Sequence, residues 1–377
     1  MHVSRETLTE TATSLGFAMV GFARLRRLDQ REDFYRRWLD EKGHASMAYL
    51  EREPERRFDP RRLDARYKSV VSLGYPYAPH SLSQNSRTTI DWRAELRGRV
   101  AAYALGPDYH DYVLKRARTI ADMITKNRVG AIARAYVDTG PVFEREWATE
   151  ARLGWFGKNT MLLNRDHGSY FFLAEIFTDV DFEPSAEPYR EHCGTCRRCL
   201  DLCPTGALAD GYVMRSDLCI SYQTIENRGP IPRELRPKLG NWIFGCDICN
   251  EVCPWNGDQS DPDANSTRDL LPHLPDLLAL DDHAFSARFS KSAMKRAKRR
   301  GLLRNVAVAL GNTRNPEAAL SLARALESEA EPLVRSHAAW ALGRVGGPLA
   351  RRALERARKR DDDPTVIAET IAALETP

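Results

Sequence analysis

Apolar residues are distributed along this chain in distinct ways, and the changes divide it into zones. Three runs are apolar almost throughout: SVVSLGYPY (69–77), AIARAYVD (131–138) and SYFFLAEIFT (169–178). Short runs rich in β-branched and aromatic residues predict strands. Around them, helical patterns lie at 5–15, 31–50 and 109–127, which predicts amphipathic helices. Helices mixed with strands make residues 1–185 an α/β or α+β domain.

The pattern changes again near the C-terminus. AVALGN (307–312), AWALGR (339–344) and IAAL (371–374) stand 32 residues apart, and Leu302, Val334 and Val366 align at the same offset. Glu331-Pro332 likewise matches Asp363-Pro364. A period in the thirties with paired apolar helices predicts HEAT-like α-helical repeats over 286–377, units that bury their apolar faces only by stacking. A simple Ala-rich helical bundle is the alternative. Either way the zone suits docking better than catalysis.

Composition narrows the picture. The 377 residues are 42% hydrophobic with a net charge of +4, so a core is expected and two or three domains are expected with it. No run approaches the ~18 apolar residues of a membrane span. The N-terminus lacks the apolar stretch of a signal peptide, and Arg26-Arg27 is followed by LDQRED rather than an apolar segment. A cytoplasmic, membrane-free monomer is the expectation. The Asp- and Pro-rich residues 261–285 read as a linker.

All eight cysteines fall between 193 and 253. The first four form C193-x2-C196-x2-C199-x3-C203-P, the bacterial ferredoxin spacing, in which three thiolates hold one [4Fe–4S] cube and the fourth serves another. C246-x2-C249-x3-C253-P repeats the second half, with Cys219 displaced upstream as its missing member. Crossed ligation assigns Cys193, Cys196, Cys199 and Cys253 to one cube. It assigns Cys203, Cys219, Cys246 and Cys249 to the other. No cysteine is left over. A pair of zinc sites is the alternative reading, and the four-cysteine run fits it poorly. Residues 186–260 are therefore expected to be a ferredoxin-like two-[4Fe–4S] domain within a multidomain α+β protein. Two cubes imply one-electron traffic.

Other residues carry chemistry of their own. Asp138 ends a predicted strand, where a carboxylate raised by burial serves as a general acid or a turn aspartate merely bonds nearby backbone. Gly157-Lys158-Asn159-Thr160 suits a phosphate or amide periphery, or is a capped turn. Arg145 is a candidate ligand contact or a surface ion pair. Tyr109-His110 invites a metal reading, although most lone histidines are structural. SKSAMKRAKRRGLLRN (290–305) holds seven cations and no acid, namely Lys291, Lys295, Arg296, Lys298, Arg299, Arg300 and Arg304. Phosphate neutralisation is the natural reading of that density, and a solvated helix face is the bland one.

Three stretches, VDTGPVFEREWA (137–148), LGWFGKNTMLLN (153–164) and GNWIFGCDICNEVCPWN (240–256), together with YALGPDYHDYVLK (103–115) and the repeat tail, resemble the epoxyqueuosine reductases. The resemblance runs over nearly the whole chain in the family's order. It implies a cobalamin- and iron–sulfur-dependent enzyme that reduces epoxyqueuosine to queuosine at the wobble position of tRNA. It implies a cobalamin-binding N-terminal domain resembling that of the reductive dehalogenases, with cob(I)alamin reduced through both clusters by an external ferredoxin- or flavodoxin-type donor. Asp138 becomes the expected proton donor. Gly157, Lys158, Asn159 and Thr160 line the cofactor site, with Arg145, Tyr109, His110 and Ser221 as further cofactor or substrate contacts. One cobalamin signature, D-x-H-x-x-G, is broken here because Val113 stands where its glycine is needed, which argues against cobalt held by His110. The basic run becomes a tRNA contact. A dehalogenase-like reductase would leave the basic tail unexplained, and a non-catalytic electron-transfer scaffold would leave VDTGPVFER and GKNT unexplained.

Overall fold

The computed structural model describes residues 3–77, 90–186, 190–257 and 271–375. The chain forms two compact units, each assembled from separated segments: 1–78, 108–217 and 248–257 in the first, 79–107, 218–247 and 258–377 in the second. The segment expected as one ferredoxin-like domain is thus divided, with 186–217 and 248–257 in the first unit and 218–247 in the second.

The first unit is built on a four-stranded sheet of β1 (Met19–Arg24), β2 (Ser69–Pro76), β3 (Ala133–Tyr136) and β4 (Phe171–Thr178), in the order β1-β2-β4-β3. Every pairing is antiparallel, which resolves the open choice of class to α+β. The central strands β2 and β4 are buried along most of their length, so they read as continuous apolar runs instead of alternating ones. Strand β1 (MVGFAR) was not anticipated. Its register places Ala23 beside Val70 and Val70 beside Phe177. These residues share a core with the fully buried Trp147.

The longer helices of this unit are α1 (Arg5–Ser14), α2 (Asp29–Asp40), α3 (Tyr109–Lys126) and α4 (Glu144–Glu150). In α3 the buried positions Val113, Ala117, Ile120, Ala121 and Ile124 form one apolar stripe, and this stripe packs on β3 and β4. Asp108 caps the helix by accepting from the His110 N–H, which relieves one of its free first-turn donors. Helix α2 is shorter than the expected 31–50, since the chain turns at Lys42 and Ala45 through left-handed backbone.

In the second unit the repeats are α5 (Lys298–Thr313), α6 (Ala319–Ser328), α7 (Pro332–Val345), α8 (Gly347–Arg360) and α9 (Pro364–Leu374). Helices α5, α7 and α9 are the elements that recur every 32 residues. They stack in sequence, and Leu302, Val334 and Val366 are fully buried. The repeated glycines have a packing cause. A Cβ on Gly311 would come within 2.8 Å of the Ala341 backbone, and one on Gly343 within 2.9 Å of the Ala373 side chain. Only glycine against alanine permits that approach. Pro332 and Pro364 begin their helices, where no intrahelical N–H is lost.

The expected linker proves partly structured. Residues 258–270, including the acidic stretch DQSDPDAN, lie outside the described residues. Leu274–Leu278 and Asp282–Phe289 are helices with Leu274 and Leu277 buried. No helix among the described residues is long and apolar enough to cross a membrane.

Candidate active site and cluster loops

The Asp138 corner lies just past β3. Asp138 adopts φ +55°, a left-handed conformation that costs a non-glycine residue about 1–3 kcal/mol in such sites. The Asp138 N–H donates to Glu144 Oε1 at 2.6 Å, which ties the turn to the start of α4. The Asp138 side chain is 59% exposed. One of its oxygens, Oδ2, lies 3.0 Å from His110 Nε2, while His110 Nδ1 lies 2.6 Å from Asp108 Oδ1.

His110 therefore stands between two carboxylates. Burial opposes its charge, but the hydrogen bonds to Asp138 and Asp108 outweigh this and push its pKa up to about 9. It is an imidazolium at neutral pH. Both nitrogens are engaged, so neither offers a lone pair to a metal. This supports the reading that cobalt is not held by His110. Tyr109 stacks on Phe172 with centroids 4.1 Å apart and planes 5° apart, and on the His110 ring at 4.1 Å.

Two acids stand behind this corner. Withdrawal from water pushes Glu144 up to about 8, and the Asp138 charge adds to the effect. Glu175 sits in β4 with no exposure, opposite Ser72 and Tyr136 in the neighbouring strands. It accepts from Ser72 Oγ at 2.7 Å through one oxygen, and the other has no partner among the described residues. Burial holds its carboxyl well above the usual range. Glu144 was legible only as a member of the quoted VDTGPVFER run. Glu175 had one signal, a lone acid in an otherwise apolar strand.

The GKNT loop sits among the cluster loops. The Arg145 guanidinium donates to the Thr160 carbonyl. Asn159, nearly buried, donates to the Cys249 carbonyl at 3.3 Å. A Cβ on Gly157 would meet Asn159 Oδ1 at 2.6 Å. The Lys158 ammonium was expected at the cofactor; it donates instead to the carbonyls of Gly194 and Cys196. Ser221 lies in the second unit, in the helix Ile220–Ile225 beside Cys219.

All eight cysteines are free of disulfides. Burial, then the charges of Cys253, Cys193 and Cys196, pushes the Cys199 thiol up to about 11. The mutual influence of these four thiols fits the ligand set of one cube. Among the described residues, no three His, Cys, Asp or Glu side chains close on a point as the ligands of a single ion do. A cubane, whose irons each take one thiolate, asks for a wider spread.

The basic run divides. Lys291, Lys295, Arg296, Lys298 and Arg300 are exposed. Arg296 pairs with Glu226 at 2.9 Å and Arg299 with Glu329 at 2.5 Å. Arg304 is a correction to the expected phosphate contacts. It is fully buried, and its guanidinium donates to the carbonyls of Gln223, Asn227 and Gly229 and to Asn305 Oδ1.

Eight cysteines in ferredoxin spacing and outside any disulfide, an acid–imidazolium pair on an α+β sheet and a HEAT-type tail define an iron–sulfur oxidoreductase. Family models agree segment by segment: a 4Fe-4S double cluster binding domain over 192–256, epoxyqueuosine reductase QueG, DUF1730, over 57–139, and HEAT repeats over 291–375. The epoxyqueuosine reductase of Pseudomonas aeruginosa is 38% identical over 347 residues, covering 90% of this chain and 94% of that protein. That of Escherichia coli is 36% identical over 341 residues, covering 89% and 88%. A crystal structure of epoxyqueuosine reductase with an epoxyqueuosine-modified tRNA-Tyr stem loop is 30% identical, with TM-score 0.88, covering 99% of this chain and 98% of that one. The chain belongs to the epoxyqueuosine reductase family, a family of oxidoreductases.

Proposed function

We propose that this chain reduces the epoxide of epoxyqueuosine in tRNA to the alkene of queuosine, with Asp138 delivering a proton to the departing oxygen. The observation that carries this is the His110–Asp138 pair: an exposed carboxylate 3.0 Å from an imidazolium. Conversion of an epoxide to an alkene and water consumes two electrons and two protons. Asp138 hands on a proton that His110 resupplies, and Glu144, protonated up to about pH 8, keeps another close by. Positioned proton transfer of this kind is worth about 10²–10⁴-fold in rate. Cobalamin and the two cubes, when bound, supply the electrons, taken singly from an external donor of ferredoxin or flavodoxin type.

Cys193, Cys196, Cys199 and Cys253 hold one cube. Spacing assigns Cys203, Cys219, Cys246 and Cys249 to the other. Tyr109, His110, Arg145, Gly157, Asn159, Thr160 and Ser221 are the cofactor and substrate contacts, and Lys158 contributes there through its backbone. Lys291, Lys295, Arg296, Lys298 and Arg300 are exposed and contact tRNA phosphates. A relative crystallised with a modified tRNA stem loop supports that partner. The enzyme acts as a cytoplasmic monomer. The test is anaerobic incubation of the reconstituted enzyme, cobalamin and a reductant with epoxyqueuosine-bearing tRNA, followed by nucleoside digestion. Epoxyqueuosine should disappear as queuosine appears, and persistence of the epoxide overturns the reading.

A further inference from the structure

The side chain of Lys158 reaches the loop that carries the first cysteines. Its ammonium lies 2.5 Å from the Gly194 carbonyl oxygen and 3.0 Å from that of Cys196. Its own carbonyl accepts from the Tyr212 N–H at 3.0 Å, so the lysine is held from both sides. The Lys158 backbone N–H and the Trp155 indole N–H lie against the Cys193 sulfur. Trp155 packs edge-on against Trp255 at 5.1 Å and His192 at 4.9 Å, so this side of the loop is walled by rings. Glu191 accepts from the Cys193 N–H at 2.7 Å and the Tyr212 hydroxyl at 2.8 Å.

Reducing a cube adds one negative charge to it. A half-buried cation nearby stabilises that charge with little screening, and N–H donors to the thiolate sulfurs act in the same sense. We propose that Lys158 sets the reduction potential of the cube held by Cys193, Cys196, Cys199 and Cys253, making it easier to reduce, while Glu191 opposes it. This rests on the ligand assignment above. It gives the GKNT lysine a role in electron traffic, separate from cofactor contact.

The test is a redox titration of the anaerobically purified holoenzyme, followed by electron paramagnetic resonance, with iron content measured in parallel. In Lys158→Met one cube should become about tenfold harder to reduce, a shift of about 59 mV to more negative potential for a one-electron couple. The other cube should stay put. Lys158→Arg should stay near the parent, and Glu191→Gln should move the same midpoint the other way. Unmoved midpoints with full iron content would sink the tuning role and leave the ligand map standing. Lost iron in Lys158→Met together with an unmoved midpoint in Glu191→Gln would make the lysine a brace and overturn the proposal. A parent protein lacking two cubes would overturn the ligand map instead.

Discussion

Two fully buried charged residues, Arg304 in the repeat unit and Glu175 near the Asp138 corner, are treated in opposite ways. Arg304 is fully buried in α5, yet its guanidinium makes five hydrogen bonds, which uses every donor it has. Asn305 ties down the carbonyls of Thr224 and Ile243. Burial lowers Arg304 to about 9, so it stays charged at neutrality. At the corner, Glu175 is as deeply buried but has one oxygen without a partner among the described residues, Glu144 is held protonated to about pH 8, and Asp138 sits in left-handed backbone. Satisfied polar groups fix loops to helices and have no capacity left for a substrate. Strain and displaced proton affinities that survive folding are where proton transfer is expected.

Substitutions can break this comparison, and the largest effect should come from Asp138→Asn. It should lower turnover about 10²–10⁴-fold while cofactor binding and tRNA binding hold. Full turnover by this variant would remove Asp138 from the chemistry. Arg304→Met should do the reverse. It orphans buried carbonyls at roughly 1–3 kcal/mol each, so the repeat unit should melt at clearly lower temperature in calorimetry. Weakened tRNA binding without lost stability would show that Arg304 is a phosphate contact after all.

Smaller effects sharpen the contrast. Replacing Lys291, Lys295, Lys298 and Arg300 together by Gln should weaken tRNA binding and flatten its dependence on salt, with melting unchanged. An unaltered salt slope would place the tRNA elsewhere. The pH dependence of stability should be the mildest signal. His110 is raised from 6.5 to about 9, so its contribution is complete below pH 6.5 and fades as pH rises through 9. Glu144, raised from 4.5 to about 8, is neutral for the fold below pH 4.5 and costs it progressively from there, the loss being complete above 8. Melting temperature should therefore fall on the alkaline side, and less steeply in His110→Gln. Parallel profiles would refute the pairing.

Much of the candidate site was legible because its information is local. Cysteine spacing is a property of short loops, so a two-cluster segment could be expected before any fold was known. The 32-residue period survives because each repeat meets the same neighbours as the last, down to Gly311 against Ala341 and Gly343 against Ala373. Asp138 stood out through its motif. Strand β1 did not, since MVGFAR is short and glycine-broken. The reach of helix 31–50 was overestimated because its polar continuation offers no stop until the left-handed turns.

The sequence by itself determined residue types, spacings and period, and through them the clusters, the repeat and the family. Only the tertiary structure decided what long-range neighbours make of each residue. It buried Arg304 from a run of otherwise similar cations, turned Lys158 to the cysteine loop and set the unheralded Glu175 behind the corner. The physical reason is that burial and partner charges depend on segments far apart in sequence, and one cation in a basic run looks like the next until the chain has closed around it.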